Sequence, residues 1–237
     1  MSNHRPLTTG TSAVLFDLDG TLIDTWRDLM NASNHVLAKH GFAAMDPAKA
    51  RLLATDGIAA MLGSVMGDRF DGFEFDLLKN EFLDYYLANI HVESKLFDGF
   101  EQVLDHLRSK LIPWGIVTNK PGFLAKPLLD SFDCLGDCMT LVCNETVREK
   151  KPHPAPVLHA LKELKVRPEN AVYVGDHSRD ISCGNNAGTV TVAAGWGYIR
   201  ENENLALWHA TYCAQSPADL PGIFSQIRNT AKIVNVR

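Results

Sequence analysis

Ala13-Val14-Leu15-Phe16-Asp17-Leu18-Asp19-Gly20-Thr21-Leu22-Ile23-Asp24 is the stretch on which the reading of this chain turns. Its four leading apolar residues have the length and composition of a short strand in a buried parallel sheet. That strand delivers two carboxylates two positions apart. Carboxylates this close repel each other unless a cation or a shared proton lies between them. Gly20, directly after them, lets the backbone turn sharply and leaves room for a ligand. The plainer reading is an acidic turn with no function. The pattern points instead to a site that handles phosphate and a metal ion, and the rest of the chain tests it.

Four further apolar runs match the first: Trp114–Thr118, Met139–Cys143, Ala171–Val174 and Thr189–Ala193. Between them lie helical repeats, with Phe100, Val103, Leu104 and Leu107, then Leu124, Leu128 and Leu129, then Val157, Leu158, Leu161 and Leu164. Strand alternating with helix predicts an α/β fold with a doubly wound parallel sheet. The first connection breaks the rhythm, since about 100 residues part the ends of the first two strands where a βαβ unit needs about 30. The excess carries helical patterns at Trp26–Leu37, Ile58–Val65 and Phe75–Tyr86 and no convincing strand. We therefore expect an α/β core of residues 1–24 and 96–237 with an inserted α-helical cap of residues 25–95.

In an open α/β sheet, ligands gather at the carboxyl ends of the strands. The first strand ends at Asp17 and Asp19, the second at Thr118-Asn119, and the third leads to Lys151-Pro152. The fourth ends at Gly175-Asp176, with Asp180 four residues on. Singly, each has a plainer role: Thr118-Asn119 as a helix cap, Lys151 as a solvated charge, Asp180 as a helix-start acid. Together they set a hydroxyl, a lysine and four carboxylates along one sheet edge. Acidic groups with one divalent cation can hold a phosphate, and Lys151 and Thr118 would neutralise and hydrogen-bond its oxygens. Mg²⁺ suits such an oxygen-rich site. No histidine or cysteine stands at the strand ends with zinc-ligand spacing.

The bulk composition narrows the class. With 23 basic and 28 acidic residues the net charge is −5, which argues against nucleic acid as a partner. No apolar run approaches the length that spans a bilayer, and the polar segment Met1–Ser12 lacks the apolar stretch of a signal peptide. Five cysteines without a Cys-x-x-Cys pair fit reduced thiols, so we expect a cytoplasmic protein. Monomer and homodimer both remain open.

The four strand-end motifs, in this order, resemble those of the haloacid dehalogenase superfamily. They are Asp17-Leu18-Asp19-Gly20-Thr21, Thr118-Asn119, Lys151-Pro152 and Gly175-Asp176 with Asp180. The resemblance implies that Asp17 is a nucleophile that becomes an aspartyl-phosphate, and that Asp19 is the general acid and base. It implies Mg²⁺ held by Asp17, the Asp19 backbone carbonyl and Asp176, with Asp180 supporting. Thr118, Asn119 and Lys151 would bind the phosphoryl group, with Gly20 and Gly175 as supporting positions. A second acid at Asp19 separates phosphatases and phosphomutases from the superfamily's dehalogenases. The insertion point implies a cap that closes over small phosphorylated metabolites.

Within the superfamily, Thr118-Asn119-Lys120-Pro121, Lys151-Pro152-His153-Pro154 and Gly195-Trp196-Gly197-Tyr198 look like the phosphoglycolate phosphatase group. Ser94–Gly99, Trp114–Pro121 and Gly197-Tyr198-Ile199 also resemble a sibling group acting on N-acetylmuramic acid 6-phosphate. In the cap, Gly57 matches a substrate-facing position, and Arg27 and Arg51 are candidate anion contacts. Other classes fit less well. A calcium loop of the EF-hand type needs Gly and Glu where Leu22 and Asp28 stand. A dinucleotide site lacks its glycine-rich turn after the first strand. A non-catalytic phosphoacceptor has no need of Asp19, and no residue set demands a phosphomutase.

Overall fold

The computed structural model describes residues 11–234, so the polar segment read against a signal peptide lies mostly outside the described residues. Among the described residues there are eight strands. β1 (Ala13–Phe16), β4 (Trp114–Val117), β5 (Leu141–Val142), β6 (Ala171–Gly175), β7 (Val190–Ala194) and β8 (Tyr212–Ala214) form one parallel sheet in the order β5-β4-β1-β6-β7-β8. β2 (Ile23–Asp24) and β3 (Lys95–Leu96) make a separate antiparallel ribbon. The chain winds outward from β1 to β4 and β5, then returns to β6 on the other side of β1. That reversal opens a crevice at the carboxyl ends of β1, β4 and β6.

β1 shows why the sheet is covered on both faces. Its residues alternate, Val14 and Phe16 toward one layer, Ala13 and Leu15 toward the other, and all four are inaccessible to solvent. Val14 and Phe16 pack with Trp114, Ile116 and the apolar stripes of α5 (Phe100–Ser109), α6 (Gly122–Asp130) and α9 (Leu220–Val234). Leu15 joins Val117, Tyr173 and the stripes of α7 (Ala155–Leu164) and α8 (Ser178–Ala187). Burying each such Leu, Val or Phe contributes about 1.5–3 kcal/mol.

Between β2 and β3 lie α1 (Trp26–Lys39), α2 (Pro47–Leu53), α3 (Ile58–Met66) and α4 (Phe75–Ala88), the helical cap. Its own core gathers Leu29, Val36, Leu37, Met61, Leu62, Leu78, Phe82 and Tyr86. The β2–β3 pairing, Ile23 with Leu96 and Asp24 with Lys95, brings the two ends of the cap together. Asp28 locks that junction. Its buried carboxylate accepts hydrogen bonds from the Ser94 hydroxyl (2.6 Å) and from the backbone N–H of Ser94 (2.8 Å) and Glu93 (3.0 Å).

The doubly wound sheet with its helical insertion is the architecture expected. Apart from α8, α9 and the short 3₁₀ turns, three further elements were not anticipated. β8 is a short edge strand without an apolar run, and α2 buries only Ala50, so neither carries a periodic signal. The β2–β3 ribbon has two residues a side, below the length at which alternation registers. The five cysteines carry free thiols. Among the described residues no helix is long and apolar enough to cross a membrane.

Candidate active site

Asp17 continues β1 past its last strand residue, its N–H donating to Val174 O at 2.9 Å, so the end of β1 is held against β6. The residues expected at the sheet edge converge there. Lys151 Nζ stands 2.7 Å from Asp17 Oδ1 and 2.7 Å from Asp180 Oδ1, and also donates to Val117 O at 3.2 Å. Only 5% of Lys151 is exposed, which rules out a solvated surface charge. Asn119 clips the lysine in place: its Oδ1 accepts from Lys151 N at 3.2 Å and its Nδ2 donates to Lys151 O at 3.3 Å. Thr118 does not cap α6, which starts after Pro121 without a side-chain cap. It is buried, lines the cavity described below, and accepts from Lys120 N at 3.1 Å.

Asp176, at the end of β6, accepts from the Thr21 hydroxyl at 2.8 Å and from Tyr198 N at 3.0 Å. Oxygens of Asp17, Asp176 and Asp180 all lie within 4.8 Å of one another, a group that can hold a divalent metal ion. Burial, together with the charges of Asp17 and Asp180, pushes the Asp176 carboxyl up to about 8. Burial likewise raises Asp17 to about 6, against the pull of Lys151 and with a further push from Asp180. Asp176 makes no ion pair among the described residues, and a bound cation would supply one. Asp180 is already satisfied, by Lys151 on Oδ1 and by His177 N on Oδ2 at 3.1 Å.

Two glycines make this packing possible. At Gly20, with φ +82°, a Cβ would stand 2.2 Å from Asp176 Oδ2, and at Gly175 one would stand 2.3 Å from the Asp180 Cβ. Any side chain at either position would push an aspartate out of the cluster.

The cluster opens into a cavity of about 580 Å³ between core and cap. Ile58, Phe75, Phe82 and Leu83 of the cap and Phe123 and Leu124 of the core form its apolar wall, with Lys79, Lys150 and Arg179 as cations. Gly57 lines it too, starting α3 with φ +93°.

Arg27 and Arg51 are not brought into the cavity lining, and the expectation of anion contacts there is corrected. The Arg27 guanidinium pairs with Asp24 at 3.1 Å and lies over the Trp26 ring, because α1 starts directly after β2, at the hinge where the cap joins the core. Arg51 reaches the other way, donating to Gly197 O at 2.8 Å and Trp196 O at 3.2 Å as a brace between cap and core.

Several residues at the site escaped the sequence reading. The Gly195–Tyr198 loop, visible in the sequence only as a family-like stretch, supports Asp176 through Tyr198 N. It also binds the hinge, where Tyr198 Oη accepts from Thr25 N at 2.7 Å and Trp26 N at 3.0 Å. Lys120 Nζ donates to both oxygens of Asp19, at 2.9 and 3.2 Å, and to Tyr86 Oη at 2.9 Å. In the sequence Lys120 stands out only as part of the Thr118-Asn119-Lys120-Pro121 motif. Arg179 donates to Thr55 O and Arg200 pairs with Asp56, so core cations tether the cap loop beside Gly57.

The sequence profile of the haloacid dehalogenase-like hydrolases matches residues 14–194, which span β1 through β7 and all four strand-end motifs. The chain belongs to that family. It is 36% identical over 208 residues to the N-acetylmuramic acid 6-phosphate phosphatase of Pseudomonas aeruginosa, covering 88% of this chain and 92% of that one. It is 38% identical over 208 residues to a phosphoglycolate phosphatase of Xanthomonas campestris, covering 88% and 94%. In fold, it superposes with a TM-score of 0.80 on the crystal structure of a predicted phosphoglycolate phosphatase from Haemophilus somnus. That pair shares 24% sequence identity, with 90% of this chain and 97% of the other covered.

Proposed function

We propose that this family member is a Mg²⁺-dependent phosphomonoesterase acting on a small phosphorylated metabolite through an aspartyl-phosphate on Asp17. The observation that carries the reading is the buried group of Asp17, Asp176 and Asp180 around Lys151. Three ionised carboxylates and one ammonium sum to −2, the charge that one divalent cation cancels. Asp17, Asp176 and the Asp19 backbone would hold that cation, with Asp180 supporting through Lys151. When bound, it supplies charge neutralisation for the phosphate oxygens.

The protein groups divide the remaining work. An Asp17 oxygen attacks phosphorus, the new O–P bond forming as the ester P–O bond breaks, while Asp19 gives its proton to the leaving oxygen. Water then attacks the same phosphorus and Asp19 takes its proton. Inorganic phosphate leaves and Asp17 is regenerated. Thr118 and Lys151 contact the transferring oxygens, and Asn119 holds Lys151 in place. Asp19→Asn is expected to lower kcat by about 10²–10⁴-fold, in both half-reactions, without moving the melting temperature by more than a few degrees. Wild-type turnover in that variant would remove Asp19 from the acid–base role.

The division into a core of 1–24 and 96–237 and a cap of 25–95 belongs to the same reading, supported by the separate apolar core of the helices and the ribbon joining their ends. Residence in the cytoplasm is part of it too, supported by the free thiols. The substrate is 2-phosphoglycolate, hydrolysed to glycolate, on the likeness to the Xanthomonas relative. The second reading is N-acetylmuramic acid 6-phosphate, favoured by a cavity of about 580 Å³ that a two-carbon acid leaves largely empty. A kcat/KM comparison of 2-phosphoglycolate, N-acetylmuramic acid 6-phosphate and hexose phosphates in Mg²⁺ decides between them. Absence of Mg²⁺-dependent hydrolysis of every phosphomonoester would refute the proposal.

The metal assignment makes a separate prediction. Without metal, the fold binds protons at Asp17 and Asp176 that the unfolded chain has already released, since both carboxyls sit above their ordinary values, at about 6 and about 8. Stability of the metal-free protein therefore falls as pH rises from about 4 through 8. A bound cation needs both carboxylates ionised. The gain in melting temperature from saturating Mg²⁺ over EDTA should grow between pH 5.5 and 8.5, at about 2–4 °C per kcal/mol for a chain of this size. A gain that is flat or shrinks with pH would count against these ligands.

A further inference from the structure

Asp19 does not stand alone at the mouth of the site. Its Oδ1 accepts from the Thr25 hydroxyl at 2.6 Å and from Lys120 Nζ at 2.9 Å, while Oδ2 has Lys120 alone at 3.2 Å. Lys120 is 9% exposed and its ammonium is also bonded to Tyr86 Oη at 2.9 Å, lying 4.7 Å from the centre of that ring. Tyr86 is fully buried in the cap's own core, on the helix that also carries Phe82 and Leu83 to the cavity wall. Lys120 itself belongs to the core, directly after the Thr118-Asn119 pair, and its carbonyl accepts from Asn144 N at 3.2 Å. A side chain anchored in one domain thus bridges the acid–base carboxylate and a hydroxyl of the other.

A buried ammonium needs near-complete partnering, and here the two partners lie on opposite sides of the core–cap boundary. A lysine side chain has four rotatable bonds, so a single carboxylate leaves it free to swing. The second contact, from the rigid Tyr86, pins the ammonium. Oδ1 takes two donors and Oδ2 only one, so Oδ2 is the oxygen with more room to carry a proton.

We propose that Lys120 and Tyr86 are positioning residues that aim the Asp19 carboxyl at the leaving-group oxygen, and that they do so when the cap is seated on the core. The proposal rests on the phosphatase reading above. With the cap lifted, Tyr86 leaves Lys120, the ammonium loses its second anchor, and Asp19 loses its fixed orientation. Proton donation to the leaving group would then be confined to the state in which water is excluded.

Leaving-group dependence isolates this role. The ratio kcat/KM covers only the steps through formation of the aspartyl-phosphate. An alkyl ester needs its leaving oxygen protonated in those steps, whereas p-nitrophenyl phosphate releases a stable phenolate unaided. Lys120→Met is expected to lower kcat/KM for the best alkyl phosphate by about 100-fold and for p-nitrophenyl phosphate by less than about 5-fold. Tyr86→Phe, which keeps the ring and removes the hydroxyl, should show the same asymmetry at about 3- to 10-fold on the alkyl ester. Lys120→Arg should restore part of the alkyl activity.

Equal losses on both esters in Lys120→Met would overturn the proposal, making Lys120 a phosphoryl-binding or structural residue. Unchanged kcat/KM on both would overturn it as well. Should Lys120→Met fail to fold, Tyr86→Phe decides by the same asymmetry, and equal effects on the two esters there count against the proposal. Failure of the underlying phosphatase reading looks different. The wild-type protein would then hydrolyse neither ester in Mg²⁺.

Discussion

Asp17→Asn abolishes turnover, with kcat expected to fall by about 10⁴-fold or more while the protein stays folded. The amide has the same shape as the carboxylate but is a far weaker nucleophile toward phosphorus, and no other carboxylate is free to replace it. Asp180 is held by Lys151 and His177 N, Asp176 by Thr21 and Tyr198 N, and Asp19 by Lys120 and Thr25. Stability should be unchanged or slightly higher at neutral pH. Burial already disfavours the charged form of Asp17, and Lys151 keeps its second partner, Asp180, at 2.7 Å. Two measurements check this. Steady-state hydrolysis in Mg²⁺ should fall to background, and a phosphoryl adduct trapped on the wild-type chain by acid quench should be missing from the variant. Residual Mg²⁺-dependent activity above about 1% of wild type would mean that water, not Asp17, attacks phosphorus.

Lys151→Met should damage both activity and stability. The substitution keeps the length of the side chain and removes the only ammonium in contact with Asp17 and Asp180 among the described residues. Asp17, Asp176 and Asp180 would then face one another within 4.8 Å with no cation between them. Breaking a buried ion pair from one side costs about 3–5 kcal/mol. For a chain of this size that is a fall of about 10 °C in melting temperature at pH 8. The sign of the pH dependence follows from the carboxyls. Without Lys151 the Asp17 carboxyl, already raised by burial, rises further, so the variant is destabilised most where that group should be ionised and recovers as pH falls toward 5. Saturating Mg²⁺ should restore part of the lost stability, because a cation replaces a cation. It should not restore kcat, expected to fall by about 10²–10³-fold, because in the proposed reaction the ammonium also stabilises the transferring oxygens. A variant with wild-type melting at pH 8 would show that Lys151 does not hold the cluster together.

The parts of the site that could be read from sequence share one property. Asp17, Asp19, Thr118 and Asp176 sit at or just after the end of a buried strand, and Lys151 lies on the loop that follows β5. A parallel sheet brings such ends to one edge whatever its other details. Glycines at 20 and 175 fall beside them because the aspartates need the space a Cβ would take. Residues whose partners lie across the cap–core boundary were another matter. Arg27 and Arg51 read as anion contacts because they are cations in the cap. Only the packing turned one back to Asp24 and the other to the Gly197 carbonyl. Lys120 and Tyr86, 34 positions apart, meet only because α4 lies over the loop after β4.

By itself, the sequence determined the doubly wound sheet, the helical insertion after the first strand and the gathering of carboxylates and a lysine at the sheet edge. Those follow from local periodicity and from one topological rule about strand ends. The tertiary structure alone decided how the cap meets that edge. It set which cations brace the boundary, which face the cavity, and which one joins Tyr86 to Asp19. The physical reason is that contacts between the two layers depend on the angle and depth at which helices seat on the core. Side-chain packing over the whole interface sets that angle, and no short motif encodes it.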